Sequence, residues 1–319
     1  MTDELRGPLA GPLAATSNGR EPAPAAKQRA IRDATHPQPG DGASPTRRVR
    51  QQRLLKLADS LSPRAHSIVE AVGRFRLLRA DQIRNLSFAE IKTEAGRARI
   101  CRRTLQKLTS EGLLRQLEQR TVGGRQGGSS GHIYALAAAG RRLLALRNGE
   151  GIASNRGLHE PGLLFVRHTL AIADLYLILI DADRSGAIEL LAFDVEPVRT
   201  YTSPLGGQIR VKPDALVRLG AGDYEYAAFC ELDCATEGRG ALQRKINAYV
   251  HLYRSGREQN EHGLFPRIVW ITPTQRRASY IQALTATLPP ETRRLFTSTT
   301  IDDVLPHLTS GDTAEEEAR

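Results

Sequence analysis

One segment, QIRVKPDALVRLGAGDYEYAAFCELD at residues 208–233, restricts the fold of this chain more than any other. Its two runs of β-branched and aromatic residues, QIRVKPDALVRL and YEYAAFCELD, are separated by a Gly-Ala-Gly-Asp turn and predict two β-strands. Three acids, Asp214, Glu231 and Asp233, lie on them. Because side chains alternate across a strand, we expect Glu231 and Asp233 on the same face. Acids gathered on one sheet face are costly to desolvate unless they meet a cation, so the segment is a candidate metal site.

The positive charge of the chain is concentrated in its middle third. The 319 residues carry a formal net charge of +10, and the pI near 9.9 favours polyanionic partners. Residues 51–150 contain 19 Lys and Arg against 8 Asp and Glu, whereas residues 151–319 contain 18 against 22. This difference predicts a basic nucleic-acid-binding domain followed by a second domain of different chemistry.

The cysteines and the apolar segments indicate where the protein is expected to act. Cys101, Cys230 and Cys234 are too few for a disulfide framework, and no further ligands complete a structural zinc site around the last two. The N-terminus has no signal-peptide pattern. The most apolar run, GLLFVRHTLAIADLYLILI, contains an arginine, a histidine and an aspartate and is too polar for a bilayer. We therefore expect a cytoplasmic protein with no membrane partner.

Residues 47–148 have the element order of a winged helix-turn-helix domain. They follow residues 1–46, whose Pro-, Gly-, Ala- and Ser-rich composition predicts a disordered tail. Ser62 and Pro63 supply an N-cap and a first-turn proline for the helix PRAHSIVEAVGRF. A short helix in RADQIRNLSF and a third helix in AGRARICRRTLQKLTSEGLL follow, and then a hairpin with the Gly-rich tip VGGRQGGSSG.

The third helix is amphipathic, with one apolar face and one cationic face. At 100° per residue, Ala98, Cys101, Leu105 and Leu108 cluster on its core side. The opposite side carries Arg99, Arg102, Arg103, Gln106 and Lys107. In a winged helix-turn-helix the third helix enters the major groove and the hairpin touches the backbone or the minor groove. We therefore expect this face to contact base edges or phosphates of double-stranded DNA, and Arg125 to make the wing contact.

The elements of residues 158–308 predict a mixed sheet flanked by helices. A helix at about 160–182 and the strand AIELLAFDVE precede the two strands of the opening segment. The helix GALQRKINAYVHLYR, the strand PRIVWIT and the helix TQRRASYIQALTATL come after them. This αβββαβ order follows the winged helix-turn-helix domain in the sequence, and the two together predict an α+β fold. Residues 309–319, which end in DTAEEEAR, predict an acidic disordered tail.

That order of elements resembles the PD-(D/E)XK fold, the restriction-endonuclease-like fold. Asp214 stands where that family has its first metal-binding acid, and Glu231-Leu232-Asp233 stands where it has Glu-x-Lys. Asp233 thus occupies the place of the usual lysine, and Lys245, on the inward stripe of the next helix, is the candidate replacement. The resemblance implies Asp214, Glu231, Asp233 and Lys245 as catalytic residues. It also implies a Mg²⁺ ion, or Mn²⁺ in its place, held by the three acids.

Other side chains are weaker candidates for the same site. Glu196, which closes the first strand, is a candidate ligand, and His168 and Asp174 on the preceding helix are candidates to face the acids. Tyr249 and Tyr253 have the Y-x-x-x-Y spacing of rolling-circle initiators. No His-hydrophobe-His pair accompanies them, and tyrosines four residues apart on a helix are ordinarily core residues.

Four segments, RHTLAIADLY, KPDALVRL, FCELDCATE and RKINAYVHLY, follow the winged helix in order. Together they make the chain similar to the replication-relaxation family of plasmids and other bacterial mobile elements, over roughly residues 60–285. The resemblance implies a role in plasmid replication and in relaxation of plasmid DNA, with double-stranded DNA as the partner.

Two functions from different classes stay open at this point. The first is a DNA-binding replication or relaxation protein whose second domain serves binding or assembly. The second is a Mg²⁺-dependent nickase or endonuclease that uses Asp214, Glu231, Asp233 and Lys245. A transcriptional regulator is the least favoured alternative. A homodimer, and other replication or conjugation proteins as partners, are left open by the sequence.

Overall fold

The structure of the protein is a computed structural model that describes residues 45–118, 131–149, 160–202 and 206–310. Its helices are α1 (Pro45–Ser60), α2 (Pro63–Phe75), α3 (Ala80–Ser87), α4 (Glu94–Ser110), α5 (Ala138–Arg147), α6 (Leu163–Arg184), α7 (Arg239–Arg254), α8 (Arg257–His262), α9 (Gln275–Thr285), α10 (Pro290–Arg293) and α11 (Val304–Thr309). Its strands are β1 (Leu77–Arg79), β2 (Leu114–Gln116), β3 (Ile133–Leu136), β4 (Glu189–Val195), β5 (Arg199–Thr202), β6 (Gln208–Val211), β7 (Ala215–Ala221), β8 (Tyr224–Leu232), β9 (Arg267–Thr272) and β10 (Phe296–Thr300). The predicted mixed α+β character is confirmed, and the expected tails fall largely outside the described ranges.

The first sheet is a small antiparallel sheet with the strand order β1-β3-β2. Helices α2, α3 and α4 pack against it and against one another. The hydroxyl of Ser62 accepts a hydrogen bond from the backbone N–H of Ala65 at 3.2 Å, and Pro63 is the first residue of α2. This confirms the predicted helix start, because a serine N-cap satisfies an N–H group that has no partner within the helix.

The second sheet contains five strands in the order β10-β9-β8-β7-β4. Strands β4, β7 and β8 pair antiparallel, whereas β8, β9 and β10 pair parallel. Each parallel pair needs a crossover, and α7 and α8 supply the first while α9 and α10 supply the second. Phe229 of β8 and Trp270 of β9 are fully buried with α7 in one hydrophobic cluster. The carboxyl end of β8 therefore lies next to the starts of the helices that follow β8 and β9.

The predicted strand at residues 208–219 is wrong in one respect, because it is two strands that belong to different sheets. Pro213 has no N–H group and cannot continue a ladder, and it lies between the end of β6 and the start of β7. Pairing with β8 begins only at Asp214, whose N–H donates to the Cys230 carbonyl at 3.1 Å. β6 pairs instead with β5, a strand that the sequence pattern did not predict. Buried Tyr201 anchors this two-stranded ribbon in the core around α7.

Helix α6 is buried from two sides. It packs against α2, α3 and β1 on one side and against β4 and β8 on the other. Within the described ranges it is also the one helix long and apolar enough to cross a membrane. Its contacts with both sheets also explain this apolar composition, since nine of its residues are buried inside the protein. One hydrophobic cluster runs from Leu61 through α6 to Leu308 and joins the first sheet to the second.

A charged network ties α6 to the first sheet. The guanidinium of Arg79 donates to Asp174 through two nitrogens, at 2.8 and 3.2 Å. The amide of Gln82, which is fully buried, donates to Asp174 at 2.7 Å and to the Leu170 carbonyl at 2.9 Å. Burial disfavours the charge of Arg79, but its hydrogen bonds to Asp174 and Asp81 outweigh that effect and raise its pKa. Asp174, expected as a candidate to face the acids, therefore holds α6 against the first sheet and α3 instead.

We predict that Asp174→Asn lowers the free energy of unfolding by about 2 kcal/mol, because it removes the anion from a bidentate, partly buried pair. Urea denaturation followed by the fluorescence of the single tryptophan, Trp270, measures this change. The matched control is Asp181→Asn on the same helix, where the carboxylate is 65% exposed and pairs with Arg184. The control is expected to cost less than about 0.5 kcal/mol. Equal losses in the two variants would contradict the prediction.

Candidate functional site

The three acids of the opening segment meet at one edge of the five-stranded sheet. Asp214 immediately precedes β7, Glu231 lies near the end of β8, and Asp233 follows β8 directly. The register of β7 and β8 sets Ala215 opposite Cys230, which brings the acids near one another. All three are buried, and Glu231 is only 1% exposed. Each buried carboxylate therefore needs a partner inside the protein.

Asp214 is held by the backbone and by a histidine. Its Oδ2 accepts a hydrogen bond from the Leu232 N–H at 2.7 Å and lies 3.0 Å from Nε2 of His168 on α6. The hydrogen bond with Asp214 raises the pKa of His168, although burial acts in the opposite direction. His168 thus faces the acids, as expected, and in its protonated form it neutralises Asp214.

Glu231 is held by two side chains of α7. Nζ of Lys245 lies 2.9 Å from its Oε2, and the hydroxyl of Tyr249 donates to its Oε1 at 2.5 Å. Lys245 also reaches Oε1 of Glu237 at 3.4 Å. The two α7 residues are four apart and share one face of the helix, so a single packing of α7 on β8 delivers both. The structure therefore brings Lys245 into contact with the acids.

Burial sets the electrostatics of this group. It raises the pKa of Glu231 to about 8, and the charge of Asp214 adds to the rise, while Lys245 and Tyr249 limit it. Burial also disfavours the charge of Lys245, but the charges of Glu231 and Asp214 outweigh it and raise the pKa of Lys245. Burial therefore disfavours the charge of Glu231, whereas the surrounding carboxylates favour the charge of Lys245.

Asp233 is held by Arg277, a residue that sequence reasoning missed. Nε of Arg277 lies 2.6 Å from Oδ2 of Asp233, and its Nη2 lies 3.2 Å from Oδ1. The same Nη2 donates to the Glu237 carbonyl at 2.7 Å. Arg277 is in the first turn of α9, directly after β9, which is the parallel neighbour of β8. The sequence signal that could have identified Arg277 is a basic residue soon after the strand β9, because the carboxyl ends of adjacent parallel strands lie at the same edge of a sheet.

The acids differ in what they offer to a metal ion. Carboxylate oxygens are the ligands that Mg²⁺ prefers, and Asp214 lies close enough to Glu231 for its charge to raise the pKa of that residue. Both oxygens of Asp233 are engaged by Arg277. Among the described residues, no group of three or more His, Cys, Asp or Glu side chains is arranged as a metal site. Both oxygens of Glu231 are likewise engaged, by Tyr249 and Lys245, so a Mg²⁺ ion would have to displace these contacts, and the metal assignment stays a prediction.

A cavity of about 240 Å³ opens beside the acid–base pairs. Its lining consists of Leu164, Phe165 and His168 from α6, Leu232 at the end of β8, Asp233, Cys234, Thr236 and Glu237 from the next loop, and Lys245 from α7. Within that loop Ala235 has a φ of 59°, a left-handed conformation that costs a non-glycine residue about 1 kcal/mol. The cavity gives a ligand access to the two cations that hold Asp214 and Glu231.

Glu196, Tyr249 and Tyr253 are placed where they cannot have the roles considered for them. Glu196 binds Arg76 and Lys212, the latter at 2.7 Å, rather than pointing to the acids. Tyr249 is fully buried with its hydroxyl on Glu231, and Tyr253 is half-buried. These tyrosines are core residues, as their spacing indicated, and not exposed nucleophiles.

The basic face of α4 is exposed along its length. Its members, Arg99, Arg102, Arg103, Gln106 and Lys107, are all exposed, whereas Cys101, Leu105 and Leu108 are buried. Lys107 lies 3.8 Å from Glu111, and the three arginines form no ion pair within the described part of the chain. Arg125, expected on the wing, lies outside the described residues.

The fold, the basic face of α4 and the acid–base pairs beside the cavity define the class of protein. It is an α+β protein with an exposed basic helix and a group of buried acids paired with bases at a sheet edge. A family model described as replication-relaxation matches residues 69–268, and the chain belongs to that family. Membership indicates a role in the replication or relaxation of mobile elements. Neither a curated protein nor a solved structure matches the chain.

We predict that Arg277→Ala lowers the free energy of unfolding by about 3 kcal/mol, because it leaves the carboxylate of Asp233 buried without its cation. The matched control is Arg276→Ala, since Arg276 is the exposed neighbour in the same helix turn. It is expected to change stability by less than about 0.5 kcal/mol. In urea denaturation the double variant Arg277→Ala with Asp233→Ala should recover part of the loss. A double variant no more stable than Arg277→Ala would contradict a pairwise interaction.

Proposed function

We propose that the protein binds double-stranded DNA in the replication or relaxation of a plasmid or other mobile element. The exposed basic face of α4 is the observation that carries this proposal. Arginine and lysine on such a face neutralise phosphates, and arginine and glutamine also form paired hydrogen bonds with the edges of guanine and adenine. The buried opposite face of α4 holds the helix rigidly against the first sheet, as recognition in a groove requires.

The elements around α4 support a winged helix-turn-helix arrangement. They follow the order α2, β1, α3, α4, β2 and β3, in which α4 is the third helix after α1. Strands β2 and β3 are antiparallel neighbours after α4, as the two strands of a wing are, and Arg125 lies outside the described residues. In this arrangement α4 enters the major groove and the wing contacts the backbone.

We predict that Arg102→Ala combined with Arg103→Ala weakens binding to duplex DNA at least tenfold. The same variant should lower the slope of log affinity against log salt by about 1 to 2, because each lost phosphate contact removes roughly 0.9 from that slope. Fluorescence anisotropy with a labelled duplex from the cognate replicon, titrated at several salt concentrations, measures both quantities.

The control for this measurement removes the same charge from a different surface. Arg276 and Arg293 are exposed and lie outside α4, so Arg276→Ala with Arg293→Ala keeps the basic face intact. This variant should change the affinity less than threefold. Equal losses in the two double variants would mean that binding follows net charge and not the face of α4.

A second function, cleavage of one strand of the bound DNA, is favoured by one contact in particular. Lys245 reaches Glu231 at 2.9 Å beside Asp214, at the start of β7 and the end of β8. This supports the nuclease-like arrangement in which a lysine from the next helix replaces the one missing at Asp233. Asp233 would then contribute by orienting Arg277.

The groups at this edge have the chemistry that phosphodiester hydrolysis requires. Asp214 and Glu231 would hold Mg²⁺, which when bound neutralises phosphate charge and lowers the pKa of a coordinated water. Lys245, whose charge is maintained by the surrounding carboxylates, would stabilise the negative charge that develops on the phosphoryl oxygens. His168 lines the same cavity and would bind the phosphate from the α6 side.

We predict that the wild-type protein converts supercoiled plasmid carrying its cognate replicon to the open-circular form with Mg²⁺ or Mn²⁺, and not with EDTA. Asp214→Ala and Glu231→Ala should each lower the rate by at least about 100-fold, since each removes a proposed metal ligand. Agarose gel electrophoresis over time measures the conversion. The control Asp223→Ala, on the exposed β7–β8 turn, should keep full activity. No conversion by the wild-type protein would leave DNA binding as the function, and activity in both acid variants would exclude this site.

A further inference from the structure

The cavity beside the acids has an apolar wall that neither proposed function uses. Leu164 and Phe165 line it and remain 57% and 40% exposed, and Leu163 next to them is 55% exposed. Three consecutive large apolar residues at the start of a helix would ordinarily be covered. Ligand pockets combine apolar walls with a few placed polar groups, so this wall favours an organic ligand with an apolar face.

The charges that line the cavity are nearly balanced. Asp233 is engaged by Arg277, His168 is paired with Asp214, and Lys245 is shared between two glutamates. An isolated inorganic anion or cation would meet charges of both signs. Charge alone therefore does not select the occupant, and a ligand that adds a large apolar face to a single charge matches the lining better.

One further cation lies at the edge of the cavity. Arg167 is exposed and adjacent in sequence to His168. Burial raises the pKa of the Cys234 thiol, which lines the cavity, and the positive charge of Arg167 acts against that rise. His168 and Lys245 line the cavity together with the apolar wall formed by Leu164 and Phe165.

We propose that the cavity binds one unpaired nucleotide of the DNA. Its base packs against Phe165 and Leu164, and its phosphate lies towards Lys245. Every base has a flat apolar face that an aromatic side chain can stack on, and a basic groove beside it follows the backbone. A cavity of about 240 Å³ admits a base that has left the stack and excludes a duplex. This inference rests on the proposed DNA binding and adds a single-stranded subsite to it.

Duplex DNA with and without a single-stranded overhang tests the proposal. Anisotropy is measured in EDTA, so that no strand is cleaved. The wild-type protein should bind the overhang duplex roughly tenfold tighter than the blunt duplex, which is the effect of about one base–aromatic stacking contact. Phe165→Ala should abolish this preference and leave the affinity for blunt duplex unchanged, whereas Phe165→Tyr should keep it. The matched control is Tyr224→Ala, an aromatic residue that is 60% exposed on another turn, and it should keep the preference.

The outcomes separate this inference from the function on which it rests. Unchanged blunt-duplex binding in Phe165→Ala shows that this variant is folded. Equal wild-type affinity for the two DNAs, or a preference that survives Phe165→Ala, would overturn the subsite while leaving duplex binding by α4 intact. Arg102→Ala with Arg103→Ala should weaken binding to both DNAs in parallel. If the wild-type protein bound neither DNA, the proposed function would fail together with the subsite.

Discussion

The burial of Glu231 is the constraint on which the arrangement of the site depends. Its side chain is almost inaccessible to water in the middle of a five-stranded sheet, where an unpaired carboxylate would cost several kcal/mol. Helix α7 must therefore pack so that Lys245 and Tyr249 both reach it. The same requirement recurs at Asp214, which meets a base from α6, and at Asp233, which meets one from α9. Three helices are thus positioned on one sheet edge by acid–base pairs.

Helix α6 connects the second sheet, where the acids lie, to the first sheet. His168 contacts Asp214 at the second sheet, and Asp174, six residues later, contacts Arg79 at the first. At 100° per residue these two side chains leave the helix in widely different directions, so one rigid element serves both sheets. The basic helix α4 and the cavity beside the acids consequently share one hydrophobic core, to which α4 contributes Leu105 and α6 contributes Ala173.

Much of the fold was predictable wherever a local pattern controls it. The Ser62 cap, the buried side of α4 and the inward position of Lys245 on α7 all follow from helix chemistry and periodicity, and the structure confirms them. The break at Pro213 was also visible in the sequence, since proline interrupts a ladder, but its consequence was not. Whether β6 pairs within the main sheet or with β5 depends on packing around Tyr201, which comes from elsewhere in the chain. Strand β1 has three residues, too few for any alternation to be recognised.

The sequence by itself determined which side chains carry charge and which faces of the helices and strands they occupy, because alternation and the helical repeat are properties of the local backbone. Only the tertiary structure decided which base meets which acid. Arg277 and Asp233 are 44 residues apart in the sequence. They meet because β9 pairs parallel to β8, so that α9, which follows β9, begins at the sheet edge where β8 ends. The three acids that were predicted as metal ligands each contact a base beside the cavity. A buried carboxylate pairs with the nearest cation that the packing of helices on the sheet supplies.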